Sequence, residues 1–362
     1  MAAVAGTHAV TLPDVQAAAA RLEGRVHRTP VVRNATLDGL AGRELLFKCE
    51  LMQKTGSFKA RGACNAAMKL PETTRAVVTH SSGNHAAALA WAAKATEREA
   101  HIVMPSNAPA IKRSAVEGYG ATITLCEPTN EAREREAEKV CQATGGALVH
   151  PSNDPNVIAG QGTVGLELVE QGLETWPADG ASMRGGLDCI VVPIGGGGLT
   201  GGVSVAAKGL SGGKIVVVAA EPELADDACR SKAEGSIQGH KDGGSPDTIA
   251  DGLKTLLGSN TFPLIRDCVD DIITVSEADI AAATRLVWER IKLAIEPSAG
   301  VGVAAVLSHA FRERHGACRR VGVVLCGGNC DVPKVAGILS NAPALPSGCC
   351  ADEPEAKRQR VS

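Results

Sequence analysis

The sequence predicts an α/β protein of two lobes, each an open, twisted, mainly parallel sheet with helices on both faces. Three observations carry that expectation. From Ala76 onward, short apolar runs rich in β-formers alternate with segments of helical period, the pattern of a parallel sheet covered by helices. The alternation pauses near Pro151 and then resumes, which sets a smaller lobe near residues 73–153 apart from a larger one. A chain of 362 residues is long enough for two such units at roughly 100–200 residues per domain.

Taken in order, AVVTHSS reads as the first strand of the smaller lobe and NHAAALAWAAKA as the helix after it. HIVMP and APAIKRSAVEGYG repeat the pair, ATITLCE and the charged NEAREREAEKVCQAT repeat it again, and ALVHP closes the lobe. Beyond Pro151, VIAGQGTVGLELVEQG has helical period, CIVVPIG is a strand that runs into glycines, LTGGVSVAAKGL is the next helix and KIVVVAAEP the next strand. DIITVSE, the amphipathic EADIAAATRLVWERI, SAGVGVAAVLSHA and the strand RVGVVLCGG complete the pattern. From Asn341 to Ser362 the chain carries Pro343, Pro346 and Pro354, few bulky apolar residues and a final KRQR, and reads as a disordered tail. That basic tetrapeptide also admits nuclear targeting.

Composition narrows the function. A net charge of −3, with no basic block through the body, argues against nucleic acid as a partner. Three Trp, one Tyr and four Phe are too few for a surface that stacks bases or sugars. No stretch approaches about 18 uninterrupted apolar residues, and MAAVAGTHAVTLPD lacks a basic region followed by an apolar one, so neither a membrane nor secretion is expected and a cytoplasmic protein is. The twelve cysteines are scattered through apolar stretches, as at Cys141, Cys189, Cys229 and Cys268, and read as buried thiols rather than a disulfide scaffold. Cys318, Cys326 and Cys330 lack the second CxxC or His pair of a metal site. The 41 glycines mean either many turns or backbone that comes close to a ligand.

Four segments carry chemistry. Gly195, Gly196, Gly197 and Gly198 follow CIVVPI and precede a helix near Leu199, where converging N–H groups and a helix N-terminus make a phosphate cradle; a structural turn would read similarly. KTGSFKARGA puts Lys59 after Phe58 at a turn leading into a helix, where a dry wall favours a neutral amine able to attack a carbonyl; a solvated lysine is the plain alternative. THSSGNH places Ser81, Ser82, Gly83, Asn84 and His85 at a strand-to-helix junction, fit to hold a carboxylate or simply to cap a helix. VVLCGGN ends the last strand with Cys326, at the carboxyl end where open α/β sheets place ligands. Together these describe a phosphate held by glycines, an aldehyde held by lysine and a ring whose far edge meets a strand end, which are the three handles of pyridoxal phosphate.

HRTPVV, KTGSFKARGA, THSSGNH, VIAGQGT, PIGGGG, AAEP, IADGLK, IEPSAGVG and CGGN stand in one order between Leu12 and Leu339. In that order the chain resembles the fold-type-II pyridoxal-phosphate enzymes, the tryptophan synthase β-like fold with the cofactor between its lobes. Within them it resembles the serine racemases and serine/threonine dehydratases, and through AAEPELADD, DDIITV and LVWERIKLAIEPSAGVGVAAVLS the eukaryotic serine racemases above all. The resemblance implies a large cofactor-binding domain of residues 1–72 and 154–340, a small flexible domain of residues 73–153 and a tail of residues 341–362. It implies that Lys59 holds the cofactor and acts as base on one face, that Ser82 is the acid/base of the other face, and that Phe58 packs beside the ring. Asn84 would meet the ring's phenolic oxygen, Gly195 to Gly198 and the N–H of Leu199 the phosphate, and Cys326 the ring nitrogen. Ser81, Ser82, Gly83, Asn84 and His85 would line the substrate.

The implied activity is interconversion of L- and D-serine, with β-elimination of L-serine to pyruvate and of L-threonine to 2-oxobutyrate, each with ammonia. The alternatives are a dehydratase with little racemisation and a non-catalytic amino-acid sensor on the same fold. Two departures bear on this: Cys326 stands where racemases of the group usually have serine, which leans toward elimination, and Ser152 stands where they commonly have asparagine. AAEPELADD offers Glu221, the carbonyl of Ala225 and Asp227, either an acidic surface turn or hard oxygen ligands for Mg²⁺, Ca²⁺ or Mn²⁺; the resemblance favours the ligands. Lys54, Thr55, Tyr119, Lys292 and Asn329 match the group's site for ATP as an activator, while Ala87 replaces its glutamine, so ATP stimulation stays open. Asp251 and Glu296 are expected as positioning groups beside the site, with a buried structural carboxylate the equal alternative for Glu296, and a homodimer is expected by likeness.

Overall fold

Helix boundaries follow side-chain caps across most of the chain. Asp154 accepts from the N–H groups of Asn156 and Val157 to open the helix Pro155–Thr175, Thr129 accepts from Ala132 N–H to open Asn130–Thr144, and Ser276 from Asp279 N–H to open Glu277–Leu286. Gly145 and Gly212, both left-handed, end the helices before them. The helices Lys59–Lys69, Asn84–Ala95 and Gly198–Ser211 begin differently: Phe58, Gly83 and Gly197 hold their cap positions, and none of the three makes a side-chain cap to the first turn. The computed structural model describes residues 8–343, apart from 109, 179–184 and 242.

Among the described residues, ten strands form two sheets. β1 (Val31–Val32), β2 (Glu44–Cys49), β7 (Cys189–Pro193), β8 (Val216–Pro222), β9 (Asp271–Val275) and β10 (Arg320–Leu325) make a six-stranded sheet in the order β1-β2-β10-β7-β8-β9; β3 (Ala76–His80), β4 (Glu99–Pro105), β5 (Thr122–Cys126) and β6 (Ala147–Leu148) make a four-stranded one in the order β5-β4-β3-β6. All pairings are parallel except β1 with β2. The helices Asn84–Ala95 and Asn130–Thr144 have the bounds read from the sequence. The alternation read from Ala76 onward does not include the helix Leu12–Leu22, β1 and β2. EADIAAATRLVWERI splits into an α-helix ending at Leu286 and a π-helical turn Val287–Ile291. Asn341, read as the first tail residue, is instead the last residue of the helix Val332–Asn341, because Val335 and its neighbours still pack on the large lobe; residues 344–362, with KRQR, lie outside the described residues.

Register gathers the strand ends. Leu325 pairs with Cys49 and Val323 with Val191, so Cys326, Glu50 and the Gly195–Gly198 run all leave the large sheet at its carboxyl edge. Glu221 leaves β8 at the same edge, opposite Thr274. No helix among the described residues is long and apolar enough to cross a membrane.

Candidate active site

Lys59 is placed by the turn before it. Thr55 and Gly56 have φ of 59° and 73°, a reversal that few non-glycine residues adopt. Ser57 then bridges to Gly327, and Phe58 N–H donates to the Cys326 carbonyl at 3.1 Å, which hangs the start of the helix on the end of β10. Lys59 Nζ donates to the Pro151 carbonyl at 2.7 Å and lies 5.2 Å from the centre of the Phe58 ring. The residue is half-buried by area, but burial among the groups packed around it lowers the amine to about 8, against the opposing pull of Cys326 and Glu296.

The dipeptide Pro151–Ser152 joins this amine to the glycine run. A Cβ on Gly196 would come within 2.5 Å of Ser152 Oγ, and one on Gly198 within 2.8 Å of the Ser152 carbonyl oxygen. Gly197 has φ of +79°, and a Cβ there would stand 2.7 Å from Leu257 Cδ2. Leu199 follows as the second residue of an uncapped helix, so the loop presents bare N–H groups at the positive end of a helix. Ser152 is buried and its hydroxyl has no hydrogen-bond partner.

The serine-rich loop enters from the small sheet. Ser81 Oγ accepts from Gly83 N–H at 3.4 Å, and Ser82 lies half-buried between them. Asn84 Nδ2 donates to both Glu296 oxygens at 3.0 and 3.2 Å, and Asn84 Oδ1 accepts from Asn329 Nδ2 at 3.0 Å. His85 is buried: its Nε2 meets the Val149 carbonyl at 3.2 Å, its Nδ1 has no hydrogen-bond partner, and burial lowers its pKa well below the usual value. Burial, then the nearby Asp251, raises Glu296 to about 7. Cys326 is buried, and burial followed by Glu296 raises its thiol well above the usual range, which keeps it a neutral, weak donor.

Two further groups of expected residues are partly assembled. Glu221 and Asp227 are both buried; Glu221 accepts from Ala228 and Cys229 N–H groups, whereas neither Asp227 oxygen has a hydrogen-bond partner, with His240 Nδ1 3.5 Å away. Burial and then Asp227 push Glu221 up to about 9. Ala225 ends the short helical turn between them. A buried carboxyl with two bare oxygens, beside a second buried carboxyl, fits a hard cation completed by carbonyl and water ligands. Of the residues matched to a nucleotide site, Asn329 Nδ2 donates to the Thr55 carbonyl at 2.6 Å, beside Lys54, while Tyr119 packs on the core of the small lobe and Lys292 caps the π-helical turn.

The sequence reading missed a buried ionic cluster behind Lys59, made of Lys48, Glu50, Arg61 and Glu167. Its one visible signal was Lys48 and Glu50 at the end of the apolar run ELLFKCE, where surface charges interrupt a core strand less often than paired ones.

A buried amine, a bare glycine cradle and a neutral donor at a strand end define a lysine enzyme that holds a small phosphate-bearing carbonyl compound between two lobes, and pyridoxal phosphate fits that set. The chain belongs to the pyridoxal-phosphate-dependent enzyme family, whose model matches residues 22–327, and the fold is fold type II. Serine racemase of Dictyostelium discoideum is 46% identical over 333 residues, 91% of this chain and 98% of that one. The structure of maize serine racemase superposes with a TM-score of 0.85 at 42% identity, covering 92% of this chain and 98% of that one. The structure of T.th. threonine deaminase gives a TM-score of 0.80 at 40% identity, covering 89% of this chain and 99% of that one.

Proposed function

We propose that this protein is a pyridoxal-phosphate-dependent serine racemase that also eliminates water from L-serine, hydrolysis of the resulting enamine giving pyruvate and ammonia, and that converts L-threonine likewise to 2-oxobutyrate and ammonia. One observation carries the reading: the carbonyl that holds the Lys59 amine belongs to the dipeptide that packs on the glycine cradle, so a phosphate and a reactive carbonyl on one small ring have both handles side by side. The similarity to serine racemases over nearly their whole length supports the choice of substrate.

Pyridoxal phosphate, when bound, supplies an electron sink that acidifies the Cα–H of an amino acid. Gly195 to Gly198 and the Leu199 N–H would hold its phosphate, Phe58 its ring face, Asn84 its phenolic oxygen and Cys326 its ring nitrogen. A neutral thiol there leaves that nitrogen without a charged partner. Ser81, Gly83 and the His85 N–H would hold the substrate carboxylate. Lys59 takes the Cα proton of L-serine on one face, and Ser82 delivers a proton on the other; positioned proton transfer of this kind contributes about 10²–10⁴-fold. Where the β-hydroxyl leaves before Ser82 acts, the product is pyruvate.

The proposal extends to a divalent cation at Glu221, Ala225 and Asp227, supported by the bare Asp227 oxygens. ATP as an activator rests on Thr55 and Asn329, whose contact continues to Asn84. Exposed Met52 and Val332 lie three residues along the chain from Thr55 and Asn329, apolar side chains suited to cover by a second copy in a homodimer. The ten described cysteines are free thiols, in keeping with a reducing compartment such as the cytoplasm.

The decisive assay incubates the purified protein with L-serine and quantifies D-serine and pyruvate together. Both products are expected. Pyruvate without D-serine would leave a serine/threonine dehydratase, the reading that Cys326 favours.

A further inference from the structure

We infer that Arg61 is a positioning residue that aims Lys59, through a buried, charge-balanced clamp on the opposite face of the same helix. Arg61 Nε and Nη2 donate to the two Glu50 oxygens, both at 2.8 Å, and Nη1 and Nη2 donate to the two Glu167 oxygens at 2.6 and 2.9 Å. Nη1 also donates to Thr163 Oγ1 at 3.2 Å and Nη2 to the His27 carbonyl at 3.2 Å. Lys48 Nζ donates to Glu167 Oε2 at 2.5 Å, so two cations meet two carboxylates. The Arg61 and Glu50 side chains are fully buried.

Lys59 and Arg61 are the first and third residues of one helix, about 200° apart at 100° per residue, so they leave it on opposite sides. No side chain caps this helix, and its N-terminus is held instead by Arg61, by Gly62 N–H donating to Gln161 Oε1 at 3.1 Å, and by Phe58 N–H on β10. An amine about 8 Å from the helix axis moves about 1.4 Å for each 10° of helix rotation. A misplacement of about 1 Å can cost on the order of 100-fold in rate. Two bidentate forks resist that rotation in a way that an apolar contact, free to slide, does not. Buried ion pairs of this kind add little stability over well-packed apolar groups, so what the clamp contributes is a fixed direction for Lys59.

The inference rests on the roles given above to Lys59 and Ser82, and its test separates the two. Arg61→Lys keeps the charge and loses both forks. The folded, cofactor-loaded variant is expected to lose on the order of 30- to 100-fold in kcat for D-serine formation, with KM for L-serine within about threefold. With α-deuterated L-serine the isotope effect on kcat rises, because removal of the proton by Lys59 becomes slower. With α-deuterated D-serine it falls, because Ser82 removes the deuterium and the slowed return by Lys59 comes to dominate. A loss of folded or loaded protein alone moves neither isotope effect. Should Arg61→Lys fail to fold, Glu167→Asp shortens one jaw of the clamp and is read in the same way. A loaded variant with kcat within threefold of wild type, or with wild-type isotope effects, overturns the inference. A wild-type protein that turned over neither enantiomer would sink the functional reading alone, since Arg61→Lys must still slow uptake of pyridoxal phosphate by the apoenzyme.

Discussion

At the scale of the residue, Lys59 concentrates the chemistry. An amine lowered by burial to about 8 is partly neutral at physiological pH, whereas an ordinary lysine titrates near 10.4. The neutral fraction reaches one half near pH 8 and saturates about one unit above it, so the rate at which apoenzyme takes up pyridoxal phosphate is expected to climb from pH 6 through 8 and level off at about pH 9. A rate still climbing steeply at pH 9.5 would show an unperturbed amine. Lys59→Ala is expected to abolish both the visible absorbance of bound cofactor and all turnover, read by spectrophotometry and by product analysis. Lys59, Ser82 and Asn84 stood out in the sequence because each sits in a contiguous motif, and the family resemblance carried by those motifs supplies the roles proposed for them. Arg61 and its partners did not, because Glu50 and Glu167 lie 11 and 106 residues away and a charged residue in sequence alone reads as surface. At His85, the ring nitrogen Nε2 is engaged by the Val149 carbonyl, a contact 64 residues away that adjacency in the loop does not reveal.

At the scale of the element, the site is assembled from helix starts without side-chain caps. Gly197 illustrates why glycine is required at one of them. Gly197→Ala forces a Cβ into the left-handed region at a cost of about 1–2 kcal/mol, and the new atom would meet Leu257 and Thr261. Affinity for pyridoxal phosphate is expected to fall at least tenfold by equilibrium titration, while affinity for pyridoxal, which lacks the phosphate, changes less than threefold; equal losses for both would show that the loop does not hold phosphate. The alternation of strands and helices made most elements readable, because apolar runs and caps are local signals. β2 escaped because its run ends in Lys48, which looks like a boundary but is buried and paired. The helix Pro297–Leu307, with two glycines and two β-branched valines before Ala304, has a uniformly buried face all round and so gave no helical period to detect.

At the scale of the whole molecule, contacts between the four-stranded sheet's segment and the rest of the chain converge on the site. Lys59 with Pro151, Asn84 with Glu296 and Asn329, and Lys112 with Asp251 at 2.7 Å all cross that boundary. The Lys112–Asp251 pair is solvent-exposed and worth no more than about 1 kcal/mol, so Lys112→Ala is expected to leave the melting temperature nearly unchanged. The proposed cation site would contribute more. Saturating Mg²⁺ at about 100 times its dissociation constant should stabilise the protein by about 2.7 kcal/mol, seen as a rise in Tm by scanning calorimetry. Asp227→Asn should remove that rise, and a rise that survives it would place the cation elsewhere. The account as a whole stands on a two-faced site with Lys59 on one side and Ser82 on the other. Its most direct test follows exchange of the Cα hydrogen with deuterium from ²H₂O, for each enantiomer of serine, in wild type and Ser82→Ala. The account predicts that wild type exchanges both, while Ser82→Ala still exchanges L-serine through Lys59, loses exchange of D-serine and forms no D-serine. Ser82→Ala that exchanged both enantiomers at wild-type rates would contradict it.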